Sequence, residues 1–355
     1  MKIFVHVTAR AFNKFILDKQ LFKQNFDYNQ CLRNLLSYGS TSMLGINQKE
    51  FPDRYFVCFS NSFFLQQKWA HEQNLAVNEN WETEILTAQM EAYKPDVLFT
   101  VNPSYICSKS DQLPDIPLKA FWRAAPVNER IDYGMFDLAL TYAERYRNLL
   151  HQAGVSNVEL HQFSFDASTI QRMEQQTKET DITFVGTYNT QFHRRNDLLK
   201  SIAKKFIFSQ SITYFLQTKY KWKGLMPDIP LTLLPVYHKP VYLRKMLMEY
   251  IKSRIVFNCH SDIARQAKGN MRVFEALGTK SFMLTDAGNY PRHFVAGTDF
   301  ITYTDKDDLF KKINYYLAHP DEREKIAQNG YERLKKHYDV SVGSRHLKAI
   351  FSKYL

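Results

Sequence analysis

The chain alternates short apolar runs with amphipathic stretches almost from end to end, and few architectures tolerate that pattern. Residues 2–8, 55–59, 96–101, 118–123, 138–142 and 158–163 read as strands rich in aromatic and branched side chains. Residues 30–38, 81–93 and 143–153 between them read as helices, with Gly154 placed to end the last. Strand–helix–strand order of this kind predicts a parallel sheet with crossover helices. The polar stretch DASTIQRMEQQTKET (166–180) interrupts the series, and DITFVG (181–186) restarts it. A helix over 191–206 follows, then a strand over 212–217 and a helix over 240–254 with Pro240 in its first turn. The series closes with a strand over 255–260, a helix from 270, a buried strand, a short strand over 300–303, and helices over 305–318, 321–336 and 342–354.

The predicted fold class is therefore α/β, two Rossmann-like doubly wound domains facing a cleft. Residues 1–165 form an acceptor-side domain, 166–180 a linker with room for a short helix, and 181–340 a ligand-binding domain. Residues 341–355 form a helix packing back on the first domain. A length of 355 residues agrees with two cores, since single cores rarely exceed ~250–300 residues. In such sheets ligands bind at the carboxyl ends of the strands.

Composition narrows the function. No stretch approaches the ~18–20 apolar residues of a membrane span, and the N-terminus lacks the apolar core of a signal peptide. Cys31, Cys58, Cys107 and Cys259 show no C-x-x-C spacing, which argues against zinc and disulfides and suits a reducing cytoplasm. The net charge of +11 is lopsided: residues 1–165 hold 16 Lys/Arg against 17 Asp/Glu, and residues 166–355 hold 31 against 19. The second half is thus suited to an anionic partner: a nucleotide, nucleic acid or an anionic membrane.

Three places in that half carry the chemistry. In NMRVFEALGTKSFMLTDAG, Asn270 can cap a helix whose first amides, at Met271 and Arg272, make an anion site. Arg272 and nearby Lys268 add charge, and Glu275, one turn in, can accept the two hydroxyls of a ribose. The plainer alternative is a capped helix with an i,i+3 Arg272–Glu275 pair. Gly186 ends the first strand of this half, where a small residue lets phosphates approach, and Arg194 and Arg195 open the next helix. His260 follows the strand at 255–260 and can bond a phosphate or a sugar hydroxyl, or be a structural histidine. Asp305-Lys306-Asp307 has the D-x-D form of metal sites, but its place before a helix favours capping. No metal or other cofactor is expected.

These residues carry a family resemblance. KSRIVFNCHSDIARQAKGNMRVFEALGTKSFMLTDAG resembles the donor-binding half of GT-B glycosyltransferases of group 1, and most of all their spore-maturation (CgeB-like) branch. Asn258, Asn270, Arg272, Phe274, Glu275 and Gly278 stand at positions of that motif. DITFVGTYNTQFHRRNDLL, the closing helices from residue 294 to 338 and the stretch 136–166 are similar as well. The wider group pairs two glutamates eight residues apart; here Ala267 stands eight before Glu275.

The resemblance implies a metal-independent glycosyltransferase that moves a sugar from a nucleotide diphosphate-sugar to a hydroxyl on a glycan, a lipid-linked glycan or a protein. Gly186, Arg194, Arg195, His260, Lys268, Asn270, Met271, Arg272 and Glu275 would bind the donor. His6 and Asp132 are the candidate catalytic bases. The expected location is cytoplasmic, with the basic stretches YLRKMLMEYIKSR and SRHLKAIFSKYL able to rest on an anionic inner membrane. Two other functions fit the same residues: a nucleotide-sugar epimerase, and a basic nucleic-acid-binding protein using stretches such as KYKWKG (219–224). The absence of a nucleic-acid-binding motif places nucleic acid outside the expected partners.

Overall fold

The computed structural model describes residues 1–8, 26–36, 44–47, 49–52, 54–124, 131–173, 176–221 and 226–355. Residues 37–38 of the first predicted helix and 222–224 of the KYKWKG stretch lie outside them. The chain divides into two compact units, Met1–Phe163 with Val340–Leu355, and Ser164–Asp339.

In unit one the strands are β1 (Ile3–Val7), β2 (Tyr55–Phe59), β3 (Val97–Thr100), β4 (Leu118–Trp122), β5 (Leu138–Thr141) and β6 (Val158–Leu160). The helices are α1 (Tyr28–Leu36), α2 (Phe63–Glu72), α3 (Trp81–Tyr93), α4 (Pro103–Cys107) and α5 (Glu144–Gln152). The strands pair in the order β2-β1-β3-β4-β5-β6, every neighbour parallel. Successive residues of β1 face two different cores: Ile3, Val5 and Val7 join one apolar cluster and Phe4 another. Burial on both faces is why these strands read as unbroken apolar runs. Gly154, beyond α5, takes φ +87, a conformation in which glycine carries no Cβ penalty.

Unit two contains β7 (Thr180–Thr187), β8 (Ile212–Gln217), a small antiparallel hairpin of β9 (Tyr220–Lys221) and β10 (Met226–Pro227), then β11 (Tyr237–His238), β12 (Ser253–Phe257), β13 (Met283–Asp286) and β14 (Ile301–Tyr303). Its helices are α6 (His193–Phe206), α7 (Leu243–Ile251), α8 (Met271–Gly278), α9 (Lys306–Ala318) and α10 (Pro320–His337). Its six-stranded sheet is again parallel throughout, in the order β11-β8-β7-β12-β13-β14. Numbered within the unit, leaving out the hairpin, this is the Rossmann order 3-2-1-4-5-6.

Several boundaries depart from the sequence reading. Helix α7 starts at Leu243, at φ +50, so Pro240 lies ahead of the helix, and β12 begins two residues before the predicted strand. The polar stretch around 166–173 packs on unit two: Phe165 bridges Asp339, and the Ala167 amide donates to Asp339 Oδ1 at 3.0 Å. A 3₁₀ turn, Ala167–Arg172, occupies it. The Phe165 ring sits against Gly278, where a Cβ would come within 2.2 Å of it, so α8 needs a glycine at its last turn. The C-terminal helix α11 (Val340–Tyr354) buries Leu347, Ile350 and Phe351 in the core of unit one. Among the described residues no helix is long and apolar enough to cross a membrane.

Candidate functional site

The strand order of unit two reverses between β7 and β12, and ligands of doubly wound sheets bind at such switch points. The residues β7 and β12 deliver there are Gly186–Thr187 and Asn258–Cys259–His260. Helices α6 and α8 both begin at this end of the sheet, since the residues at their starts bond to residues that follow β12 and end β13.

The cap residue of neither helix bonds its helix start through its side chain, but the Arg194 amide of α6 donates to Asp262 Oδ2 at 3.4 Å. Phe192 precedes α6 and has no capping group to offer. Asn270 occupies the cap position of α8 at φ −70, ψ 163, yet its side chain turns elsewhere. Its Nδ2 donates to Asn258 Oδ1 at 3.4 Å, and its Oδ1 is buried without a partner. The Val273 amide returns to the Asn270 carbonyl at 3.1 Å; those of Met271 and Arg272 meet no acceptor among the described residues. An uncapped helix start keeps its donors and positive dipole end for a ligand.

Asp286, at the end of β13, organises the site. Its Oδ1 accepts the His260 amide at 3.0 Å and His260 Nδ1 at 2.8 Å. Its Oδ2 accepts Lys268 Nζ at 2.5 Å and Arg194 at 3.1 Å. Burial opposes the charge on this wholly buried carboxylate, but His260 and Lys268 outweigh it and hold its pKa well below the usual range. Burial lowers the pKa of His260 against the pull of Asp286, so the ring is neutral at pH 7. An ionised carboxylate only accepts, which places the ring proton on Nδ1. Nε2 is then a bare lone pair, buried and unpartnered. Such an atom asks for a donor, as a ligand hydroxyl provides, and not for a phosphate oxygen.

Lys268 is held in place by its own backbone. Its amide donates to the Asn289 carbonyl at 2.8 Å, and the Asn289 amide returns to Gln266 at 2.7 Å. Gly288 lies flat against the lysine stem, where a Cβ would come 2.5 Å from Lys268 Cγ. The Lys268 ammonium is thus buried on Asp286, while Arg194 is half exposed and bonds the same carboxylate with one arm of its fork. Arg195 is buried. It donates to the Thr187 carbonyl at 2.9 Å, lies over the Phe192 ring at 4.2 Å, and leaves Nε without a partner. Burial lowers its pKa.

Arg272 and Glu275 form the i,i+3 pair at 2.5 Å, with Glu275 only 6% exposed. Arg272 also lies against Met246 Sδ. One glutamate oxygen is therefore engaged by the chain itself in the absence of ligand. Gly186 belongs to β7, facing Leu216 of β8.

The two base candidates belong to unit one. His6 is fully buried, with Nδ1 at 2.8 Å from Thr100 Oγ1 and Nε2 at 2.7 Å from Ser60 Oγ. Burial lowers its pKa to about 3, and no ring nitrogen is left for another partner. Asp132 lies in an exposed turn and accepts the Gly134 amide at 2.8 Å. Asp305 caps α9, its carboxylate accepting the Asp308 amide at 2.9 Å. Sequence reasoning did not single out Asp286; the one signal was an acidic residue two positions after the buried run FML in SFMLTD.

The family described as glycosyl transferase-like matches residues 194–347. Similar solved structures include Alr3699/HepE of Anabaena in complex with UDP-glucose, 12% identical over 99% of this chain and 100% of that one, with a TM-score of 0.62. A glycosyltransferase from Rickettsia africae is 8% identical over 99% and 98%, with a TM-score of 0.59. A point mutant of S. aureus TarM, in complex with fondaparinux, α-GlcNAc-glycerol and UDP, is 12% identical over 76% of this chain and 59% of that one, at 0.54. No curated protein matches the sequence significantly. At these identities the likeness is one of fold: the two parallel six-stranded sheets with their helices are those of the GT-B glycosyltransferase class.

Proposed function

We propose that the protein is a glycosyltransferase of the spore-maturation-like branch. It transfers a sugar from a nucleotide diphosphate-sugar to a hydroxyl acceptor, such as an envelope glycan, a lipid-linked glycan or a protein. One observation carries the reading. At the switch point of unit two, the α8 start without a side-chain cap and Arg194 lie with buried polar atoms that have no partner among the described residues: His260 Nε2, Asn270 Oδ1 and Arg195 Nε. Native proteins rarely leave such atoms orphaned, and a ligand is a usual reason.

In this reading the diphosphate lies on the amides of Met271 and Arg272 and on the Arg194 guanidinium. Charge builds on the leaving diphosphate as the glycosidic bond breaks. Preorganised donors stabilise that charge without reorganisation, so the reading needs no metal. His260 Nε2 accepts a hydroxyl of the donor. Asp286 holds the imidazole in the required tautomer and draws Arg194 to the site, while Glu275 keeps one oxygen for the ribose. His6 is given no proton-transfer role, because both its ring nitrogens are engaged.

The test is a panel of UDP-, GDP-, CDP- and dTDP-sugars assayed for hydrolysis and transfer by wild type and Arg194→Ala. The reading predicts turnover of one donor class and its loss in the variant. No turnover of any donor, with no nucleotide raising the melting temperature, would overturn it. The basic surface of unit two suits an acceptor presented at an anionic membrane, which flotation with phosphatidylglycerol vesicles would detect.

A further inference from the structure

We propose that unit two carries a second site, a cavity for a neutral carbohydrate at the carboxyl ends of β7 and β8. The cavity holds about 280 Å³. Thr187 and Gln217 are the last residues of the two strands and pair in register there. Thr190 and Thr218 line the cavity with them, and among the described residues no aliphatic side chain does. The wall is built from within: Thr218 Oγ1 donates to the Asp228 carbonyl at 3.0 Å, and the Asp228 amide donates to Lys219 at 2.7 Å. The side chains of Thr187, Thr190 and Gln217 are exposed at the mouth of the cavity and have no hydrogen-bond partner among the described residues, so they can bond a ligand in place of water.

Three features select the ligand. Hydroxyl and carboxamide groups both donate and accept, and a ring sugar or polyol answers them at nearly every carbon. The two charged residues of the lining, Lys219 and Asp228, are of opposite sign, so the cavity has no net charge to draw a phosphate. Its volume lies just under the roughly 300–1,000 Å³ of sites for drug-sized ligands, which suits one monosaccharide better than a nucleotide. The cavity also touches the donor site: the carbonyl of Thr187 accepts Arg195 at 2.9 Å. Resting on the transferase reading, this places a bound sugar one strand away from the diphosphate.

Saturation-transfer NMR on the full chain tests it, with methyl α-D-glucopyranoside, methyl N-acetyl-β-D-glucosaminide and glycerol 3-phosphate as probes, in the presence and absence of UDP. Thr190→Val with Gln217→Ala removes a hydroxyl and a carboxamide that have no hydrogen-bond partner among the described residues. The expected result is binding of a neutral glycoside to wild type, weakened about tenfold or more in the double variant, with UDP affinity and melting temperature unchanged. Three results would overturn the proposal: no glycoside bound by wild type, equal binding by the double variant, or a loss of UDP affinity in that variant. Preference for glycerol 3-phosphate over both glycosides would also refute it. Glycoside binding that is lost in the double variant, in a protein that binds no nucleotide, upholds the cavity and removes the donor reading. UDP binding with no glycoside binding does the reverse.

Discussion

The two units are built alike, yet the carboxyl ends of their sheets are finished differently. In unit one the histidine at the end of β1, His6, is closed off by two neutral hydroxyls and stacks on Tyr105 at 5.0 Å. In unit two the histidine after β12 has a carboxylate on one side and nothing on the other. The first arrangement satisfies every polar atom of the ring and is complete as it stands. The second orients a ring and leaves a buried acceptor without a partner among the described residues. The same fold thus holds one histidine with both ring nitrogens bonded and one with an unpartnered acceptor among the described residues, and the hydrogen-bond inventory tells them apart.

The contrast is broken most severely at Asp286. Asp286→Ala leaves Lys268 buried without its counter-charge and should cost about 3–5 kcal/mol in chemical denaturation. His6→Ala should cost only about 1–3 kcal/mol, the loss of two neutral hydrogen bonds, and leave nucleotide affinity of the folded protein intact.

Arg194→Ala should reduce donor turnover by ~10²–10³ with little change in melting temperature, because the side chain is half exposed. A stability loss equal to that of Asp286→Ala would make Arg194 structural and remove the asymmetry.

Acid should separate the units by mechanism. In unit one, burial holds His6 at about 3 and His161 at about 4, both below the unfolded value of ~6.5. Below pH ~6.5 the unfolded chain takes up protons that the folded one refuses, so stability falls with pH, by about 1.4 kcal/mol per pH unit for each histidine. His161→Gln should remove about one proton from that slope between pH 6.5 and 4. His260 contributes with the same sign in unit two. The depressed Asp286 contributes stability that is full above pH ~4 and is lost as pH falls below it.

The smallest effect belongs to Asp305→Ala, about 1 kcal/mol for a lost helix cap, with turnover unchanged. A collapse of turnover in that variant would restore the metal reading of Asp305-Lys306-Asp307.

The parallel sheets were legible because strands buried on both faces write continuous apolar runs, as IFVHV and ITFVG do. Helix α2 was not read, since FFLQQKWAHE shows weak helical periodicity. The hairpin of β9 and β10 pairs only two residues on each side, too few to leave a pattern. At the site, Arg194, His260, Lys268 and Asn270 were visible as residue types in a plausible order. Their pairing was not: Lys268 and Asp286 are 18 residues apart, and Arg194 and Asp286 are 92 apart.

The amino-acid order alone therefore determined that this chain makes two parallel α/β layers, and that its basic excess falls in the second half. Those properties follow from local periodicity and local composition. Which cation stays half exposed and which is buried on a carboxylate was decided only in three dimensions. The same is true of which histidine nitrogen carries the proton. Both depend on which distant side chains share a low-dielectric space, and burial sets the sign of every one of those outcomes.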